Sequence, residues 1–446
     1  MKVTRIGCGA GFSGDRIDPA VELATHGELN YLVFECLAER TIALAQLAKA
    51  KDPDAGYDPM LVARMEAVLP VCRERGTTVI TNMGAANPVA AVGVVRQVAR
   101  RLGLGGLSIG AVTGDDVRAI VGAGHFTVTE SGEPVETLGD RLVSANAYIG
   151  AEAIRMALAR GADVVITGRA ADPSLFVAPL AHEHGWRLDA WTEVGRATLV
   201  GHLLECAGQI TGGYFADPGL KDVANLDRLG FPIAEVPERG PFVITKVPES
   251  GGSVTAATCK EQLLYEIHDP SAYFTPDTIA DFSQVRIESR GRDRVEIDGA
   301  AGKPRPDSLK VSLAYRDGFI GEGQISYAGT GAEERARLAG DVVSRRLARS
   351  RIPVAEIRCD VIGVDALHGG RLAAGTWHPY EVRLRVAART NSLAAAQAVA
   401  NEIESLYTNG PAGGGGATKS TREVLSLAST LIPRELVRCD VQMEVA

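Results

Sequence analysis

The chain lacks the charge pattern of a nucleic-acid-binding protein. Its 47 Lys and Arg residues are outnumbered by 55 Asp and Glu residues, which gives a formal net charge of −8. Recognition of nucleic acids depends on a basic face that neutralises phosphate groups. We therefore expect no nucleic-acid partner, while a local basic pocket for an anionic small molecule remains compatible with this charge.

Motifs for metals, disulfides, membranes and export are also missing. None of the seven cysteines forms a CxxC motif or stands at ligand spacing from a histidine, and no uninterrupted apolar run reaches the length of a membrane span. The first residues lead into a strand without the charged and apolar regions of a signal peptide. We predict no metal site, no membrane association and reduced thiols in a cytoplasmic protein.

The sequence contains, instead, a regular succession of apolar runs that end in polar clusters. Five β-like runs in the first 175 residues stop at small or polar residues, and a helix-like segment follows each one. The clusters occupy residues 7–16, 35–36, 81–87, 113–116 and 167–172. This succession is typical of α/β enzymes, which gather polar residues at the carboxyl ends of parallel strands.

The pattern predicts an α/β fold with an open, mostly parallel, doubly wound sheet over residues 1–285. An incomplete β/α barrel is the alternative, because only about six strands are visible in this part. Residues 286–446 show short alternating runs and longer helical segments, which predict a smaller α+β domain with a glycine-rich loop at 410–417. Helices are also expected at residues 146–160 and near 422–429.

The first glycine-rich loop follows the first predicted strand in a G-x-G-x-G-x-x-G pattern. Gly9, Gly11, Ser13 and Gly14 can turn backbone amides towards an anion, and Glu35 stands about 20 residues later, where a ribose acceptor is found in dinucleotide-binding folds. The loop is interpreted as a nucleotide site, as a site for another anion or carboxylate, or as a plain tight turn.

Further candidate residues follow the later clusters. Glu205 at an apolar helix end can carry a raised pKa and act as acid or base, or it can simply belong to a polar capping cluster. Arg169 is interpreted as an anion clamp or as part of a structural ion pair. Asn82 donates to a carbonyl oxygen or stabilises a turn. Gln209 and Thr211, close to Glu205 in the sequence, are further candidates for ligand binding. Gly413 and Gly414 either approach a ligand or form a flexible surface connection.

Several motifs together resemble the acyclic terpene utilisation (AtuA) family. The resemblance is carried by GAGFSGDR, GRAADPSLFVAPL, LLECAGQITGGYFAD, LGFPIAEV, VITK, KEQLLYEIHDPSAYFTPD, SYAGTGAEERARLA and LYTNGPAGGGGA, which extend over residues 9–417. The family implies a link to the catabolism of terpenoid acids as CoA thioesters. It implies a pathway and specifies neither a reaction nor catalytic residues.

We therefore expect an enzyme that acts on a carboxylic acid or acyl-CoA, as a hydratase/dehydratase-type lyase with acid/base chemistry next to a carbonyl. Glu205, Asp15 and Glu35 are the predicted acid/base residues. No cofactor is predicted, CoA entering only as part of the substrate, and a homo-oligomer is expected from base rates. The alternatives are a non-catalytic accessory or CoA-ligand-binding protein and an NAD(P)-dependent oxidoreductase.

Overall fold

The computed structural model describes residues 2–370 and 379–446. The chain forms two compact units, Met1–Ala314 with Leu427–Ala446, and Tyr315–Ser426. The boundary expected near residue 285 falls inside the first unit, and the glycine-rich loop at 410–417 belongs to the second.

Helices and strands alternate through most of the chain. The strands are β1 (Val3–Ala10), β2 (Tyr31–Phe34), β3 (Thr78–Thr81), β4 (Ser108–Thr113), β5 (Leu142–Ala147), β6 (Val164–Thr167), β7 (Pro232–Pro237), β8 (Phe242–Lys246), β9 (Tyr273–Phe274), β10 (Ile279–Asp281), β11 (Arg286–Gly291), β12 (Arg294–Asp298), β13 (Ala301–Lys303), β14 (Ser308–Ala328), β15 (Glu356–Ile362), β16 (Glu381–Thr390), β17 (Gly415–Pro433) and β18 (Asp440–Val445). The α-helices are α1 (Asp18–His26), α2 (Glu39–Lys51), α3 (Leu61–Arg75), α4 (Pro88–Arg101), α5 (Arg118–Ala123), α6 (Ala151–Ala159), α7 (Ser174–His184), α8 (Trp191–Leu204), α9 (Ala256–Leu264), α10 (Ala332–Arg349), α11 (Leu393–Glu404) and α12 (Leu406–Asn409).

A ten-stranded mixed sheet is the centre of the first unit. Its order is β11-β12-β8-β7-β1-β2-β3-β6-β4-β18. The strands from β1 to β4 in this order are parallel, whereas β7 and β18 pair with them antiparallel. The α/β class is confirmed, and among the described residues the sheet is open and does not close into a barrel. The antiparallel strands on both sides make it more mixed than the sequence pattern indicated.

The central strands are parallel because their sequences are apolar on both faces. Every residue of β2 and β6 is buried, and Leu32 and Val165 have no exposed surface. Such strands need helices on both faces, which the crossover connections between parallel strands supply. The polar residues that follow each strand are therefore left at one edge of the sheet.

The second unit, taken by itself, contains a sheet in the order β15-β16-β14-β17. In β16 the residues Val382, Leu384 and Val386 are buried, while Arg383 and Arg385 alternate with them and are half-buried. This period of two gives the sheet one apolar face, and buried residues of α10 and α11 pack in the same core.

Two predicted helices are wrong in whole or in part. The segment near 422–429 lies in β17, because pairing within the sheet outweighs the helix propensity of its Arg, Glu, Leu and Ala residues. The helix expected from residue 146 begins only at Ala151, since Asn146 and Ala147 end β5. β7, which has a proline at each end, was not predicted from the sequence.

The described residues include no helix that is both long and apolar enough to cross a membrane.

Two helical glycines differ in what an added methyl group would contact. A Cβ at Gly201 in α8 would lie 2.6 Å from the Cα of Pro173, whereas a Cβ at Gly93 in α4 would have no atom within 4 Å. We predict that Gly201→Ala lowers the free energy of unfolding by about 1–3 kcal/mol through overpacking. Gly93→Ala should raise it by about 0.5–1 kcal/mol, because alanine restricts the unfolded chain. Denaturant unfolding of both variants checks this, and equal effects would contradict the packing of α8.

Candidate functional site

A cavity of about 820 Å³ lies at the carboxyl ends of three parallel strands of the first unit. Gly11 follows β1, Glu35 follows β2 and Arg169 follows β6, and all three line the cavity. The other polar lining residues used below are Glu39, Tyr148, Asp172, Glu205, Cys206, Glu266 and Lys310. The sheet edge therefore gathers side chains that are distant in sequence.

The guanidinium group of Arg169 is a buried cation in the wall of this cavity. Its Nη1 donates to the carbonyl oxygen of Leu37 and, at 2.8 Å, to Oδ1 of Asp172. The ring of Tyr148 packs on the guanidinium, with 4.0 Å from Cζ to the ring centroid. Among the described residues Nε finds no hydrogen-bond acceptor. One donor of a buried cation is therefore left unsatisfied by the protein.

Glu35 is a buried carboxyl group beside this cation. Asn82 Nδ2 donates to its Oε1 at 2.8 Å, and the amide of Leu37 donates to the same oxygen at 3.0 Å. Burial, with a further contribution from the charge of Asp172, raises the pKa of Glu35 to about 8, although Arg169 opposes the rise. Since both donors contact Oε1, the proton of the neutral form belongs on Oε2.

Glu205, directly after α8, is a second buried carboxyl group. His202 Nδ1 lies 3.2 Å from its Oε1, and His202 Nε2 lies 3.1 Å from the carbonyl oxygen of Leu263. Burial raises the pKa of Glu205 well above its ordinary value, and burial lowers the pKa of His202 to about 4. Both shifts favour a neutral pair near neutral pH.

A third carboxyl group, Glu39, behaves differently. Burial acts to raise its pKa, but a hydrogen bond from Tyr148 and the charges of Arg169 and Lys310 hold the pKa at about 2. Lys310 Nζ lies 3.4 Å from Glu39 Oε1 and 4.8 Å from the Tyr148 ring centroid. The lining of the cavity thus includes both an ion pair and carboxyl groups that retain protons.

The first glycine-rich loop is packed closely against its surroundings. A Cβ at Gly9 would lie 2.7 Å from the ring of Phe34, and one at Gly11 would lie 2.6 Å from the backbone of Cys206. The amide of Gly11 donates to Asp15 Oδ2, and Arg64, fully buried, donates to the carbonyl oxygens of Ser13 and Asp15. Close packing therefore explains why glycine occupies positions 9 and 11.

Comparison with known protein families gives a match over nearly the whole given sequence. The family model described as acyclic terpene utilisation family protein AtuA matches residues 4–443. The chain belongs to the AtuA family. No curated protein and no solved structure matches this AtuA family member.

The structure brings four of the predicted site residues of this AtuA chain together, since Gly11, Glu35, Arg169 and Glu205 line the same cavity. Asp15 is hydrogen-bonded to amides of its own loop. Asn82 contacts Glu35 and holds it in place. The other candidates do not line the cavity: Gly9, Ser13, Gly14, Gln209, Thr211, Gly413 and Gly414.

Two of these groups have clear local partners. Thr211 Oγ1 is buried and donates to the carbonyl oxygens of Gly208 and Gly230. Gly413 and Gly414 belong to the second unit, where a Cβ at Gly414 would press on Ile325 and Tyr327. No group of three or more His, Cys, Asp or Glu side chains in the described residues is arranged to hold a metal ion.

Sequence reasoning missed Tyr148, Lys310 and His202. Tyr148 follows β5 and lies within the helix that was predicted over residues 146–160, and Lys310 sits in β14, where no site residue was predicted. His202 was not among the predicted site residues, although its spacing of three residues from Glu205 on a helix is a usable signal.

The raised pKa of Glu35 makes a prediction about stability. The folded protein holds this proton up to about pH 8, whereas an unfolded Glu releases it near pH 4.3. Its stabilising contribution is therefore complete below about pH 4.3 and is lost as the pH rises to about 8. Within this window the free energy of unfolding should fall by up to about 1.4 kcal/mol per pH unit on account of this group.

Glu35→Gln tests this linkage, because the amide keeps an oxygen for Asn82 and Leu37 and has no proton to release. Urea unfolding at several pH values should show a shallower decline for this variant than for the wild type. Glu74→Gln, at an exposed position of α3, is the control and should leave the slope unchanged. Identical slopes for wild type and Glu35→Gln would contradict the assignment.

Proposed function

We propose that this AtuA family member is an enzyme of carboxylic acid or acyl-CoA catabolism, a lyase of the hydratase/dehydratase type. The family links it to acyclic terpene utilisation. The observation that supports a reaction is one cavity in which a buried guanidinium with an unsatisfied Nε–H meets two buried carboxyl groups with raised pKa values.

Glu35 is the proposed acid/base group next to the substrate carbonyl. A general base works best when its pKa lies near the operating pH, and the pKa of Glu35 is raised to about 8. Asp15, the alternative from sequence, contacts the amides of Gly11 and Arg16 and does not line the cavity. In the proposed reaction Glu35 takes the proton from the carbon beside the carbonyl, or returns it in the reverse direction.

Arg169 and Lys310 are the proposed groups for anionic oxygen. Removing the proton beside a carbonyl places negative charge on the carbonyl oxygen, which buried donors stabilise strongly. The Nε–H of Arg169 has no acceptor among the described residues and is available for this purpose. Lys310, whose side chain is about half exposed, suits a carboxylate or phosphate nearer to solvent.

Glu205 is the proposed group that holds the hydroxyl or water that is lost or added, by accepting a hydrogen bond from it. Hydration of a double bond needs one group at each carbon, and Glu35 and Glu205 are two such groups in one cavity. A non-catalytic accessory role requires no such pair, and the concave polar site favours an enzyme over that alternative.

The first experiment is a thermal-shift screen with free terpenoid acids, hydroxy acids, acyl-CoAs and NAD(P)H. A ligand at a hundred times its dissociation constant adds about 2.7 kcal/mol of apparent stability. Stabilisation by acyl-CoAs or acids, and none by NAD(P)H, is the expected result. Stabilisation by NAD(P)H alone would instead favour the oxidoreductase alternative.

With the best ligand in D2O, NMR should detect exchange of the hydrogen beside the carbonyl. We predict that Glu35→Gln slows this exchange by about 10²–10⁴-fold while the ligand still binds. Lys310→Met should weaken binding of an anionic ligand by about tenfold or less, as for a partly exposed ion pair. Glu183→Gln, which replaces a partner of Lys2 and Tyr31 outside the cavity, is the control. Full exchange in Glu35→Gln would end this mechanism.

A further inference from the structure

The hydrogen bonds of His202 determine which of its nitrogens carries the proton. Nε2 faces the carbonyl oxygen of Leu263 at 3.1 Å, and a carbonyl oxygen only accepts. Nε2 must therefore be protonated. In a neutral imidazole the other nitrogen, Nδ1, is then an acceptor.

The partner of Nδ1 is Oε1 of Glu205, 3.2 Å away. An acceptor nitrogen needs a donor, so the carboxyl group must carry its proton on Oε1. The other oxygen, Oε2, is then a carbonyl-type oxygen, which only accepts. Oε2 is buried and no described residue donates to it.

An ion pair between imidazolium and carboxylate would satisfy the same two distances. It would, however, leave one oxygen of a buried carboxylate without any donor, which costs much more than leaving a neutral carbonyl-type oxygen unpaired. The ring of His202 is also buried, with 1% of its surface exposed, and removal from water disfavours a charge on it.

The surrounding charges do not reverse this balance. From the loop after β6, Arg169 favours a charged Glu205 and Asp172 opposes it. From the segment after α9, Glu266 opposes a charged Glu205 and favours a charged His202. The opposing carboxylates offset the single arginine, so burial decides in favour of the neutral pair.

We propose that His202 holds the Glu205 proton on Oε1 and thereby dedicates Oε2 to accepting a hydrogen bond from a hydroxyl group of the ligand. The cavity then selects a hydroxy-substituted acyl ligand over the same ligand without the hydroxyl or with a keto group in its place. This inference deepens the proposed function and rests on it for the acyl part of the ligand. His202 is here a positioning residue that acts through Glu205.

Nitrogen-15 NMR of the histidine side chains tests the proton arrangement without any ligand. The His202 signal, identified by its loss in His202→Phe, should report a neutral ring protonated on Nε2 from about pH 5 to 8. An imidazolium signal at pH 7, or a proton on Nδ1, would overturn the proposal.

Ligand selection is tested with three matched acyl-CoAs that carry a 3-hydroxyl, no substituent or a 3-keto group. The wild type should bind the hydroxy compound about tenfold or more tighter than the other two, as expected for one buried hydrogen bond. Glu205→Gln should keep this preference, because its amide can donate to Nδ1 and present its oxygen to the ligand. In His202→Phe the carboxyl proton is released from Nδ1, and the preference should shift towards the keto compound.

Equal binding of the three compounds by the wild type would overturn the inference and leave the proposed function standing. If the wild type shows no exchange of the hydrogen beside the carbonyl but still prefers the hydroxy compound, only the proposed function is overturned. If His202→Phe does not fold, Glu205→Gln provides the test. A variant that keeps the preference for the hydroxy compound supports an Oε2 that only accepts, and a variant that loses this preference contradicts it.

Discussion

The burial of one positive charge organises the candidate site. A guanidinium placed in the wall of a sheet edge needs acceptors and counter-charge, because an unpaired buried ion is strongly unfavourable. Arg169 obtains them from Asp172, the carbonyl oxygen of Leu37 and the ring of Tyr148. Its own amide is held by Asp115 at 2.9 Å, which fixes the backbone from which the side chain extends. The pKa values of the neighbouring carboxyl groups then depend on how strongly each group interacts with this one charge.

Three glutamates in one cavity show how partners decide protonation. Glu39 receives a hydrogen bond from Tyr148 and faces Lys310, so its pKa stays at about 2 despite burial. Glu35 accepts only neutral amide donors, and its pKa rises to about 8. Glu205 has a histidine that is itself difficult to charge, so burial dominates there. A cavity with both ionised and protonated carboxyl groups can bind a cationic or hydroxyl donor at one wall and transfer protons at another.

The residues that end apolar strands could be recognised from sequence, because strand ends meet at one edge whatever the details of packing. That argument identified Glu35, Arg169 and the α/β class, whereas Glu205 was chosen as a carboxyl group at an apolar helix end. It could not identify their partners, since Lys310 and Tyr148 reach the cavity through pairing between β5 and β14, which no local pattern shows. The wrong helix near 422–429 has the same origin: sheet pairing with distant residues outweighed local propensity. Asp15 looked equivalent to Glu35 because sequence does not show which side chain folds back onto its own loop.

The position of Glu205 is fixed from two sides by contacts that leave little room. On one side Gly11 allows the backbone of Cys206 to approach the end of β1, where any Cβ would be 2.6 Å from it. On the other side Gln262 donates to the carbonyl oxygen of His202 while His202 contacts Leu263, which joins α8 to the last turn of α9. These contacts fix the backbone beside Glu205 and the ring of His202, and the hydrogen bond between Nδ1 of His202 and Oε1 then restricts rotation of the carboxyl group. Because rotation is restricted, the position of the proton set by His202 determines which ligand group can bind to Oε2. Gly11 contributes to this recognition because it allows the backbone of Cys206 to pack against the first loop.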